Sequence, residues 1–130
     1  VNMTPLTHIA ENVFKLRKKD RVIGFYPDKF NESIARIDAV LADSQIYHGY
    51  YLVINLGGFL QVKGKVVVLP VEICEVKDLG KVKTEWPKES MLGAPAPIDI
   101  MSVTTREEKL IRDYYGVPLQ RPEPSKTQEQ

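Results

Sequence analysis

The run Val66-Val67-Val68-Leu69, closed by Pro70, constrains this chain more than any other stretch. β-Branched side chains are stiff and pack well on a pleated surface. A run with no polar alternation suits a strand covered on both faces, and Pro70 must end its ladder or sit at an edge. The fold therefore needs material on both sides of this strand. The neighbouring segments supply candidates. Tyr47 to Leu56 is rich in β-branched and aromatic residues, and Gly57-Gly58 closes it with a turn that tolerates positive φ. Phe59 to Val62 follows, Val71 to Val76 alternates, and Gly80 to Trp86 adds one more short strand. Arg21 to Tyr26 reads as a strand stopped by the turn pair Pro27-Asp28. Five to six short strands separated by turns predict a mainly β fold, a small closed or partly open β-barrel.

Two segments read differently. In residues 7 to 16, Ile9, Val13 and Leu16 recur at helical spacing behind Thr7, which predicts a short amphipathic helix. Residues 30 to 43 fit a helical stripe through Phe30, Ile34, Ile37 and Leu41. They also fit an alternating strand with Ala35, Ile37, Ala39 and Leu41 on one face, and periodicity does not separate the two. Beyond the strands, Gly93, Pro95 and Pro97 make Met91 to Pro97 a loop. Thr105-Arg106-Glu107-Glu108 matches a capping box, with Leu110, Ile111 and Tyr114 as the apolar side of a helix stopped by Gly116 and Pro118. The organisation expected is an extension over 1–19, a barrel over 20–100, a helix packing on it over 101–118, and a flexible tail over 119–130.

At 130 residues there is room for one core. The 43% hydrophobic and 27% charged residues are ordinary for a globular domain. A formal charge of +1 names no partner by itself, but Lys15, Arg17, Lys18, Lys19 and Arg21 gather cations in one short segment. The single cysteine, Cys74, excludes an intrachain disulfide. No apolar stretch approaches the roughly 20 residues that span a bilayer, and no secretory signal is visible. The expected location is cytoplasmic, including the inner face of a membrane as a peripheral protein.

The order of four segments is informative. Ile37-Asp38-Ala39-Val40-Leu41-Ala42-Asp43 is followed by Gly49-Tyr50-Tyr51-Leu52-Val53-Ile54, then Gly57-Gly58-Phe59-Leu60, then Val66-Val67-Val68-Leu69-Pro70-Val71. This succession resembles the PRC-barrel family, over roughly residues 20 to 76, and Tyr114-Tyr115-Gly116 resembles the end of its stand-alone members. The family occurs at the end of the photosynthetic reaction-centre H subunit and of a ribosome maturation factor. The resemblance implies that residues 33 to 43 are a strand. It also implies a non-catalytic adaptor that docks on a larger complex, such as a subunit or assembly factor at the cytoplasmic face of a photosynthetic membrane complex. The alternative it implies is an RNA-associated, ribosome-maturation protein.

Catalytic and metal patterns are sparse. His8 and His48 lie forty residues apart and, with Cys74, match no common zinc spacing. Gly57-Gly58 lacks the Lys-Ser/Thr and helix start of a phosphate loop. No catalytic residue, metal, cofactor or small-molecule substrate is assigned. The residues expected to meet a partner are Lys15, Arg17, Lys18, Lys19 and Arg21, through anionic lipid, RNA phosphate or an acidic protein face. Trp86, in a polar, proline-flanked stretch, is the candidate exposed anchor. A homodimer through an unpaired strand is a further expectation.

Overall fold

The computed structural model describes residues 5–14, 16, 20–29, 32–33, 36–56, 65–77 and 80–119. Strands β1 (Leu6–Ile9), β4 (Ile37–Asp43), β5 (Gly49–Leu56) and β6 (Lys65–Pro70) form one antiparallel sheet in the order β1-β4-β5-β6. Strands β2 (Tyr26–Lys29), β3 (Glu32–Ser33), β7 (Cys74–Lys77) and β8 (Lys81–Thr84) form a second, ordered β3-β2-β8-β7, in which β2 and β8 run parallel. Helix α1 spans Lys88–Leu92 and α2 spans Thr105–Tyr115. The chain is thus mainly β. Among the described residues no ladder joins the two sheets, so the expected closed barrel is not formed there.

Strand β4 resolves the ambiguous periodicity. Ile37 lies opposite Ile54 while Ala39 lies opposite Val53, so Asp38 is an extra residue on β4. A second irregularity between Leu41 and Ala42 leaves Tyr50 extra on β5. Bulges of this kind shift the phase of a strand by one residue. Ala39, Val40 and Leu41 follow one another in regular register and are all buried, so β4 is covered on both faces, and the bulges together with this covering leave no clean alternation in the sequence.

β5 is covered on both sides, whereas in β6, the strand expected to be so covered, Val67 to Pro70 are buried and Val66 is exposed. Tyr51 reaches α2 through its hydroxyl. Leu52, on the opposite face, lines a cavity of about 320 Å³ with Val76 and Val82 of the second sheet. The first sheet therefore sits between α2 and the second sheet. The β4–β5 connection is held by Asp43, whose carboxylate accepts from the Gln45 and Ile46 amides at 2.8 and 3.1 Å. Gly49 is required beside it: a Cβ there would lie 2.9 Å from Val40 Cγ1 and 3.0 Å from Asp20 Cγ. The Gly49 amide donates to the buried Asp20 carboxylate at 2.9 Å.

Several expectations are corrected. The helix expected in residues 7 to 16 is instead strand β1 at Leu6–Ile9, where pairing with Asp43 to Val40 overrides the helical spacing. Arg21 to Tyr26 is largely a turn, with Phe25 N bonded back to Val22 O, and Pro27-Asp28 falls inside β2. Val71–Ile73 is a 3-10 turn, and extended backbone begins again only at β7. A short helix, α1, interrupts the expected loop before Gly93. The helix cap is one residue earlier than read: Thr104 accepts from Glu107 N at 3.1 Å, and Glu107 accepts from Thr104 N at 3.0 Å. Gly116, at φ 74, stops the helix as expected. The Gly57-Gly58 turn, the Phe59 to Val62 strand and all of the tail but Leu119 lie outside the described residues.

Candidate functional site

The outer edge of β1 is built from Leu6, Thr7, His8 and Ile9, with its inner edge paired to β4. Asn12 fixes the chain that follows, because its amide donates to Ile23 O at 3.1 Å and its carbonyl accepts from Ile23 N at 3.0 Å. This turns Val13 and Phe14 back beside the strand. Together with Tyr47 from the β4–β5 connection they line an open groove of about 540 Å³ along β1. Phe14 is 89% exposed, and Val13 and Ile46 are also exposed. Exposed single apolar residues are common on proteins; several beside an open strand edge are not. The other end of the same sheet differs. There α1 and α2 lie against β6, and Lys65 donates to the carbonyls of Leu92 and Ala94 at the end of α1. Among the described residues no strand pairs with the outer edge of β1.

Of the cations expected to meet a partner, Lys15, Arg17, Lys18 and Lys19 lie outside the described residues. Arg21 is turned onto its own chain: Nε donates to Leu16 O at 3.0 Å and Nη2 to Phe14 O at 2.9 Å. Its guanidinium also stacks 5.1 Å from the Phe14 ring centroid. Arg21 thus presents Phe14, a positioning role. Trp86 is half-buried, edge-on to Tyr115 at 4.7 Å and tilted against Tyr114 at 5.9 Å. It packs on α2 as well as facing outward into a groove beside β7.

The sequence reading missed Val13 and Phe14 as surface features, having assigned Val13 to a helix face. It also missed a buried polar network under α2. Tyr51 donates its hydroxyl hydrogen to Glu108 Oε1 at 2.7 Å and accepts from Arg112 Nε at 2.9 Å. Arg112 Nη1 donates to Glu72 Oε2 at 2.8 Å and to Pro118 O at 3.0 Å. One guanidinium therefore joins β5, the turn before β7, α2 and the chain beyond it. Burial pulls the Arg112 pKa down, but its hydrogen bonds to Glu72 and Tyr51 outweigh that and raise it. The spacing Glu108, Ile111, Arg112, Tyr115 is the signal that could have shown this face.

Burial shifts three titratable groups upward. Burial, then the nearby Glu72 carboxylate, pushes the Cys74 thiol up to about 12, so it stays protonated near neutrality. Burial raises Tyr51 and Tyr115 above the ordinary phenol value. All three groups hold their protons more tightly when folded, so the stability they contribute is present at neutral pH and is lost as pH rises. Stability is expected to fall from the ordinary thiol value of 9.0 upward, and more steeply above the ordinary phenol value of 10.0. Urea midpoints across that range check this, and Cys74→Val should flatten only the lower part. A flat midpoint across the range would contradict the assignment. Glu107 behaves oppositely: amides of Thr104 and Ile98 hold its carboxyl below the usual range.

Among the described residues no three metal-ligating side chains converge, and no helix is long and apolar enough to cross a membrane. In comparison with known proteins, the chain matches no family model and no curated protein.

Proposed function

We propose that this chain is a non-catalytic protein-interaction module of PRC-barrel type, which docks on a larger complex by accepting a partner's strand at the outer edge of β1. The outer edge of β1, which no strand among the described residues pairs, with Phe14 beside it, carries this reading. A strand edge supplies main-chain donors and acceptors for affinity, and the adjoining groove selects side chains. An aromatic anchor at the edge of such a groove is a typical binding hot spot. The resemblance to the reaction-centre H subunit makes a photosynthetic membrane complex the partner class, met from the cytoplasmic face.

The test is affinity purification of the tagged chain from its native cells at low and high salt, beside the Phe14→Glu variant. Membrane-complex subunits retained at both salts by the unaltered chain, and lost from Phe14→Glu, are the expected result. Truncating or charging a hot-spot aromatic costs about 2 kcal/mol or more, a loss of roughly thirtyfold in affinity. Ribosomal proteins and RNA released at high salt would replace this reading with phosphate binding through the basic segment. Co-elution of only a second copy of the chain would replace it with a homodimer.

A further inference from the structure

Between the two sheets lies the cavity of about 320 Å³ that Leu52 of β5 lines from one side and Val82 of β8 from the other. Val22, from the turn before β2, completes its floor, and all three side chains are buried. Val71 and Val76 stand nearer the surface, Val76 being 48% exposed, so the cavity has a mouth as well as a floor. Five aliphatic side chains, four of them valine, thus form its apolar wall. β-Branched side chains have few rotamers, so such a wall keeps its shape rather than collapsing inward.

Native interiors are packed as densely as organic crystals and hold few voids larger than a water molecule. A recess of this size between two packed sheets is therefore an exception, and exceptions of about 300 Å³ and above with mostly apolar, preformed walls are where small molecules bind. An apolar cavity of about 150 Å³ already admits benzene, so this one has room for about two fused rings.

The polar side chains at the wall decide what charge the occupant carries. Asp20 already accepts from the Gly49 amide at 2.9 Å. Cys74 directs its thiol at Pro70 O, 3.8 Å away, and Glu75 has an interaction of its own. A charged ligand would lose its water here without gaining a dedicated partner, whereas an uncharged apolar one has no such loss and gains by leaving water.

We propose that this cavity is a binding site for an uncharged, mainly apolar small molecule of about two fused rings, held by Val22, Leu52, Val71, Val76 and Val82. The site is separate from the strand edge at β1, because none of its wall residues lies on β1 or lines the groove there.

The experiment titrates the full chain with 2-naphthol and with 2-naphthoate, which share a ring system and differ in charge at neutral pH, and follows the side-chain methyl groups by NMR. For 2-naphthol, saturable shifts at Val22, Leu52, Val71 and Val82 are expected, with a dissociation constant on the order of 0.1 mM for about ten carbon atoms held by apolar contact. 2-Naphthoate should bind at least tenfold more weakly. Leu52→Phe fills the floor and Val76→Phe narrows the mouth, and each should weaken 2-naphthol binding about tenfold. Val76 is exposed, so Val76→Phe keeps the test decisive even if Leu52→Phe does not fold. Shifts that fail to saturate, or that fall instead on surface methyls such as Val66 and Leu110, would overturn the proposal. Equal binding of 2-naphthoate, or undiminished binding to a folded Val76→Phe chain, would overturn it as well.

Discussion

Replacing Arg112 with methionine should destabilise the chain by about 3–5 kcal/mol, the cost of removing one partner from a buried charged network. Arg112 is 0% exposed, and methionine retains much of its apolar volume, so the loss is mainly of charge and hydrogen bonds. Without the guanidinium, the Tyr51 hydroxyl keeps its bond to Glu108 but loses its donor, and the buried Glu108 loses the positive charge that reaches it through that hydroxyl. Glu72 and the Pro118 carbonyl lose their shared donor in the same step. Urea unfolding followed by circular dichroism measures the change. A double-mutant cycle with Glu108→Gln should be less than additive, because the two side chains act through one hydroxyl. A loss below about 1 kcal/mol would mean that the network is solvated, as surface ion pairs are.

Ile54→Ala should lower stability by about 2–5 kcal/mol, and Leu110→Ala by no more than about 0.5 kcal/mol. Ile54 is 0% exposed in the centre of β5, paired with Ile37 on one side and Val67 on the other. Truncation there leaves a cavity beside the paired Ile37 and Val67, in a sheet whose ladders on both sides limit relaxation. Leu110 is 53% exposed on the outer side of α2. Sequence periodicity assigned Leu110 to the apolar side of that helix, so the Leu110 variant tests the helix phase, with Ile54 as the buried reference. Equal losses at both positions would contradict the observed phase.

That reversal shows where the sequence was readable. Segments whose chemistry agrees with their setting were legible: Val67 to Pro70 as a strand buried at every position, although Val66 before them is exposed, Gly116 as the left-handed stop of α2, and Gly80 to Trp86 as the site of a further strand. Ile37 to Asp43 was legible only through its resemblance to a known succession of strands, because the bulge at Asp38 breaks alternation. Leu6 to Ile9 was not legible. Its strand state is imposed by pairing with β4, a contact more than thirty positions away in the chain. The buried face of α2 was hidden because Glu108 and Arg112 look like a solvent-facing pair until Tyr51 is placed between them. Trp86, expected as an exposed anchor, is half-buried against Tyr114 and Tyr115, which its polar, proline-flanked sequence setting does not reveal. Phe14 gave no signal at all, since its exposure follows from the Asn12–Ile23 clamp and the Arg21 contacts.

The docking edge is tested most directly by amide hydrogen exchange on the free chain and on the chain co-purified with its partner. Strand addition at the outer edge of β1 should slow exchange within Leu6–Ile9 by about tenfold or more, as new ladder bonds worth roughly 1.4 kcal/mol form. Exchange along β7, the outer strand of the second sheet, should stay unchanged. Protection confined to β7, or to α2, with Leu6–Ile9 exchanging as in the free chain, would contradict docking at β1.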